Sequence, residues 1–158
     1  ISAAFGREQE AALVKTLRSE AKPKLSLVAE NDGEIIGHVF LSPVQFNPDT
    51  PLWLGLGPVA VLPAWQNKKI GSRLIQEGLE MCLRIGAHAV FVLGSSRFYP
   101  RFGFRPAMDF GLRCEYAVPA QAFMALELRK DALTNVKGQV KYHPAFTLLN
   151  DTQFRSSL

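Results

Sequence analysis

The hydrophobic and polar positions of this chain lay out a strand-rich domain with one strong helix. Leu25 to Glu30 reads as a strand and Ile35 to Leu41 as its return. Between them Asn31-Asp32-Gly33-Glu34 predicts a tight hairpin turn, because Asn, Asp and Gly tolerate positive φ. Pro43 to Pro51 is a loop around Asn47-Pro48-Asp49. Leu52 to Leu62 is apolar nearly throughout, which suits a strand buried on both faces. Gly55 and Gly57 inside it predict irregular pleating or a bulge, and Pro63 ends it.

Two stretches carry helical spacing. In Glu8 to Glu20, Leu13, Val14 and Leu17 share a face. In Gln66 to Ile85, Ile70, Leu74, Gly78, Leu79, Cys82 and Ile85 form a stripe, with Arg73, Gln76, Glu77, Glu80 and Arg84 opposite. Gly86 suits a C-terminal cap. His88 to Leu93 is a short buried strand, and strand, helix, strand in this order implies a right-handed parallel crossover. Ser95 to Phe102 suits a short helix. Phe104 to Tyr116 reads as one strand bent at Gly111, and Phe123 to Arg129 as a last strand. From about Asp131 the chain predicts an irregular tail packed by Tyr142 and Phe146 and frayed after Asn150.

Composition narrows the class. A chain of 158 residues, 47% hydrophobic and 20% charged, suits one globular domain spanning 1–158. No apolar run approaches the roughly 20 residues a membrane span needs. Ile1 to Glu10 lacks a basic start and an apolar core, so no signal peptide is expected, although the first residue is not Met. Cys82 and Cys114 show no metal-ligand spacing and read as small core hydrophobes, which fits a reducing cytoplasm. The net charge of +4 is scattered, unlike the basic stripe of a nucleic-acid binder. A mild positive bias suits an anionic small molecule.

The candidate chemistry lies where the buried strand ends. A tight turn follows Val59-Ala60-Val61, and a helix begins near Gly71 and Ser72. The first N–H groups of a helix lack intrahelical partners and sit at its positive end, which suits a pyrophosphate. Lys68, Lys69 and Arg73 add charge there, and Gly71 allows close backbone approach. The plainer reading is an ordinary turn with solvated lysines. The stretch is neither a P-loop nor a GxGxxG dinucleotide turn.

These residues resemble a known motif. Val59 to Ile75 is similar to the acetyl-CoA motif of the GNAT superfamily of N-acetyltransferases, usually [RQ]-x-x-G-x-[GA]. Gln66 and Gly71 match its ends, while Lys69 stands where the middle Gly belongs. A side chain there crowds a pyrophosphate or, from a rearranged turn, hydrogen-bonds it with a charge of the right sign. Phe91-Val92-Leu93-Gly94, followed by Phe98 to Phe104, resembles the family's fifth strand and its Tyr-x-x-x-Gly-Phe signature. Gly94 to Phe104, with Pro119 to Met124 and Tyr142 to Phe146, resembles a bacterial predicted-acetyltransferase subgroup. The likeness covers nearly the whole chain, but the family's first strand has no counterpart, so the chain is expected to start near the first helix.

The resemblance implies an α/β fold: a mixed, mostly antiparallel central sheet with helices on both faces and a strand-turn-helix acetyl-CoA site. It implies that Val59, Ala60 and Val61 meet the pantetheine arm. Gln66, Asn67, Lys68, Lys69, Ile70, Gly71 and Ser72 would hold the pyrophosphate, and Gly94 would let the cofactor pass. A primary amine would attack the thioester directly, with the N–H of Val59 or Val61 donating to the oxyanion. Tyr99 would be the general acid on the leaving thiolate. No Glu or Asp lies between Leu52 and Leu62, so a water relayed by backbone carbonyls is the expected base. His38, His88 and His143 read as structural. Arg97 and Arg101, four apart, read either as ligands of the 3′-phosphate or as a solvated basic face. The acceptor is left open, and so is oligomeric state, with a homodimer among the options. Two rivals stand beside this reading: an acyl-CoA-binding or sensor module without turnover, and a basic interaction domain without a cofactor.

Overall fold

A computed structural model of the chain describes residues 25–142, together with Lys15. The helix expected over Glu8 to Glu20, His143, Phe146 and the end after Asn150 lie outside the described residues. Strands β1 (Leu25–Asn31) and β2 (Glu34–Pro43) form the expected hairpin. Asp32 and Gly33 have φ of 49° and 80°, the consecutive positive values of a two-residue turn that matches strand twist. Strand β3 (Trp53–Val61) pairs antiparallel with β2. Helix α1 (Ile70–Arg84) then crosses over to β4 (Ala89–Leu93), which lies parallel to β3. β4 pairs antiparallel with β7 (Phe123–Glu127), and β7 with the short β5 (Arg105–Pro106). The six-stranded sheet runs β1-β2-β3-β4-β7-β5, mixed and mostly antiparallel, as expected.

Alternation divides the sheet residues between two cores. Val39, Leu41, Leu54, Leu56, Val90, Val92 and Met124 face α1, which contributes Leu74, Ile75 and Cys82. Phe40, Trp53, Phe91 and Phe123 face the other way, against Leu112, Leu133, Val140 and Tyr142. The aromatic row is continuous: ring centroids lie 5.2 Å apart for Trp53–Phe91 and 5.6 Å for Phe91–Phe123. Each fully buried side chain of this size contributes about 1.5–3 kcal/mol. The helix sits close because β2 presents Gly37: a Cβ there would lie 3.1 Å from Leu74 Cδ1.

Four expectations need correction. The stretch from Phe104 to Tyr116 is not one strand. Ala107–Phe110 coils into a 3-10 turn, and Gly111, at φ 82°, redirects the chain. The chain then enters β6 (Leu112–Cys114), which belongs to a second sheet. Its parallel partner is β8 (Gly138–Val140), inside the stretch read as irregular tail. Polar residues hid β8, because only Val140 of its three residues is buried. The helix expected from Gln66 starts at Ile70, one turn later, since Asn67 and Lys69 take left-handed φ of 63° and 65°. Ile85 ends the helix 42% exposed rather than joining the apolar stripe. Gly86, at φ 84°, follows the cap. Tyr142 packs in the core as expected, and Cys82 is buried, while Cys114 is only partly so.

Candidate active site

The site begins with an irregularity in β3. Val39 pairs with Val59, but Leu41 pairs with Leu56, so β3 spends two residues, Gly57 and Pro58, where β2 spends only Phe40. This is the bulge anticipated from the glycines. It marks a change of neighbours. Before it, Trp53 to Leu56 pair with Ala89 to Val92 of β4. Beyond it, Val59, Ala60 and Val61 pair with β2 alone. The two central strands therefore part at the Leu56–Val92 pair, and the far end of β3 borders a gap.

The ladder decides which backbone groups face that gap. Leu62 N donates to Ile36 O at 2.8 Å. Hydrogen-bonded pairs alternate in an antiparallel ladder, so Ala60 exchanges bonds with His38. Val59 and Val61 then turn their N–H and C=O groups away from β2, toward the gap. Of the three residues expected to meet the pantetheine arm, Val59 offers its N–H and C=O and Val61 its N–H, the Val61 C=O accepting from Gln66, and those of Ala60 are spent on β2.

The turn after β3 is a constructed one. Pro63–Trp65 makes a 3-10 turn closed by Trp65 N to Leu62 O at 2.8 Å. Gln66 Nε2 donates to Val61 O at 3.0 Å, which clips the turn back onto the strand. Gln66 was expected at the pyrophosphate; here its amide serves the backbone and fixes the path of Asn67 to Lys69. Lys69 is the N-cap of α1, in left-handed conformation and without a side-chain cap. That conformation explains why glycine is usual at this position, since an L-residue pays about 1–2 kcal/mol to hold it. The uncapped end leaves the first N–H groups of Ile70, Gly71 and Ser72 without intrahelical partners. A Cβ on Gly71 would find only Val61 Cγ2, at 3.8 Å, so the space above it is open. Lys68 lies over the Trp65 ring at 5.4 Å, and Arg73 pairs with Glu77 at 3.3 Å in the open. The Lys69 carbonyl accepts from Arg73 N at 3.1 Å, while its ammonium has no partner among the described residues.

Tyr99 opens the 3-10 turn Tyr99–Phe102 that comes after β4, on the α1 side of the sheet. It is 1% exposed and sits edge-on to Phe98 and Phe104, at centroid distances of 5.2 and 5.7 Å. Its hydroxyl is buried with no hydrogen-bond partner among the described residues. Desolvation pushes the phenol well above its ordinary pKa, so it stays protonated through neutral pH.

Residues 2–104 match the family model described as the acetyltransferase (GNAT) family. The chain belongs to the GNAT acetyltransferase family. As a member it is an N-acetyltransferase. It is 38% identical over 143 residues to the uncharacterised N-acetyltransferase YhbS of Escherichia coli K12, covering 90% of this chain and 86% of that one. The crystal structure of E. coli YhbS in complex with CoA superposes with a TM-score of 0.86 at 36% identity, over 92% of this chain and 82% of that one. A GNAT acetyltransferase from Brucella melitensis in complex with acetyl-CoA gives 0.74 at 37%, over 92% and 86%.

Within this GNAT fold, the structure brings Val59, Val61 and the Gln66–Ser72 turn onto one arm of the fork, and places Gly94 and Tyr99 just past the end of the other. His38 is buried and its Nε2 lies 2.9 Å from Ser26 Oγ, within the β1–β2 hairpin. The backbone of His88 holds Leu52, Leu128 and Arg129. Arg101 is engaged, donating from Nε to Phe98 O at 2.8 Å and stacking 4.4 Å over the Phe98 ring. Sequence reasoning missed Ser95. Its Oγ accepts from the N–H groups of Arg97 and Phe98, both at 3.2 Å, and so caps the turn that carries Tyr99. A serine ahead of a short helix is the signal that would have found it.

Proposed function

We propose that the chain transfers the acetyl group of acetyl-CoA to a primary amine by direct attack, with no covalent enzyme intermediate. The observation that carries the reading is the half-paired end of β3, which runs into an uncapped helix N-terminus. Together they offer polar backbone to a pantetheine arm and N–H groups to a pyrophosphate, in that order along the chain. Acetyl-CoA is the cosubstrate and supplies the activated thioester.

Val59 and Val61 bind the amides of the arm, and one of their N–H groups donates to the oxygen that gains charge during attack. Ile70, Gly71 and Ser72 receive the pyrophosphate, and Lys68 and Lys69 neutralise it. Lys69 holds a left-handed φ of 65°, a conformation glycine adopts without steric cost, so the turn forms with lysine in the glycine's place. The new N–C bond forms as the C–S bond breaks. The amine proton passes to water relayed by backbone carbonyls, and Tyr99 gives its proton to the leaving thiolate. A phenol above its ordinary pKa is fully loaded for this step. It is a stronger base once ionised, but the same desolvation raises the basicity of a thiolate beside it, so the two remain matched.

A thermal-shift titration with acetyl-CoA, using ATP and NAD as controls, tests the cofactor. At about 100 times its Kd a ligand adds about 2.7 kcal/mol. No shift at millimolar acetyl-CoA would remove the proposal. A shift without thiol release across an amine panel would leave the binding-module reading in its place.

A further inference from the structure

The phosphate-binding turn occupies only one arm of the fork. The other arm, where β4 ends, opens into a second concavity of about 610 Å³, the size of a small-molecule site. Its lining includes Gly94, Ser95, Ser96, Arg97, Gln121 and Ala122. It starts close to the parting point: Val92 is the last β4 residue paired with β3, and Gly94 comes directly after Leu93. Gly94 N donates to Ala122 O at 2.8 Å, which ties the two walls together.

We propose that this cavity is the acceptor subsite, and that it takes a small amine carrying a carboxylate, which Arg97 pairs. The inference rests on the acetyl-transfer reading above. A cofactor laid from the Gln66–Ser72 turn to the gap approaches along β3 and α1. The nucleophile then needs its own route to the thioester carbon, and the β4–β7 side supplies one. The chemistry of the lining chooses the class. Among the described residues Arg97 is the only charged one on its lining, and no carboxylate of theirs faces it. Its guanidinium has no partner among the described residues, whereas Arg101 is held by Phe98. Ser95 Oγ binds the Arg97 N–H, so the backbone from which Arg97 projects is fixed. Ser96 and Gln121 add neutral donors. A polycationic acceptor would meet an uncompensated like charge here, while a carboxylate would meet a planar fork of donors.

The test compares free L-amino acids with the matching amino-acid amides as acceptors, for wild type, Arg97→Ala and Arg97→Gln. Dephospho-CoA and CoA are titrated in parallel by thermal shift. Wild type is expected to favour the free acids by about 10- to 100-fold in kcat/KM, the weight of one charge-assisted pair. Both variants are expected to lose that preference through KM, with the CoA shift unchanged. Equal or better turnover of the amides overturns the proposal, and so does turnover of polyamines alone. A loss of affinity for CoA but not for dephospho-CoA in the variants also overturns it, and assigns Arg97 to the 3′-phosphate. An intact acetyl-CoA shift with no turnover of any carboxylate-bearing amine rejects this subsite but spares the cofactor site; only the absence of that shift removes the wider reading.

Discussion

The two halves of β3 have the same kind of sequence and opposite duties. Leu54 to Leu56 have a strand on each side and, like Trp53 before them, are buried. Val59 to Val61 have a strand on one side only and are half-buried. Both halves are small or apolar, so side-chain chemistry does not separate them. What separates them is pairing. An apolar strand with both neighbours is scaffold, and the same strand with one neighbour exposes backbone donors and acceptors in fixed directions. The bulge at Gly57 and Pro58 is the boundary, and the proposed cofactor site draws on main chain because the pairing with β4 stops there.

Replacing a side chain in each half's territory should therefore give opposite results. Trp53→Ala removes a fully buried ring from the aromatic row and should cost about 3–5 kcal/mol of stability, read by denaturant titration at unchanged m. Cofactor affinity of the fraction that remains folded should change little. Tyr99→Phe should do the reverse. It removes a buried hydroxyl with no partner among the described residues, so stability should hold or rise by about 1 kcal/mol. The loss of the acid should lower kcat by about 10²-fold. If Tyr99→Phe is destabilised and fully active, the phenol is a structural group and not the acid.

This division explains what was legible beforehand. Hairpin, crossover and long helix arise from apolar period and turn chemistry, and each is in place. The bulge was announced by Gly55 and Gly57. The forking of β3 from β4 was not, because it depends on where β4 ends, and nothing in Val59 to Val61 records a missing neighbour. Gln66 stands out in the sequence as a motif residue, but whether its amide meets a ligand or Val61 O is a matter of turn geometry. The pairing of β6 with β8 was illegible for a different reason: two three-residue strands far apart in sequence have too few positions to show a period.

Alkaline pH gives a smaller, graded probe of the scaffold. Burial pushes the Cys82 thiol up to about 12 from 9.0. A folded-state pKa above the unfolded one contributes stability that is complete below the unfolded value and is lost as pH rises toward the folded value. Above about pH 9 the unfolded chain releases this proton and the folded chain keeps it, so stability should fall by about 1.4 kcal/mol per pH unit. Tyr99, Tyr116 and Tyr142, all raised by burial, join only above about pH 10. Unfolding free energies between pH 8 and 10, with and without Cys82→Ala, isolate this thiol, because its contribution is the difference between the two slopes.

The smallest effect sharpens the comparison most, because it falls on the turn that joins β3 to α1. Lys69→Gly relieves a left-handed lysine and should add up to about 1 kcal/mol of stability, less what glycine's extra freedom in the unfolded chain takes back. Lys69→Ala keeps the conformational cost and removes the charge, so it should leave stability near wild type. If the lysine acts by charge, both variants should weaken acetyl-CoA by a similar factor, with a shallower dependence on salt. If it acts only by holding the turn, Lys69→Gly should bind as well as wild type or better. Isothermal titration at two salt concentrations separates the two, and with them a turn that merely tolerates lysine from one that uses it.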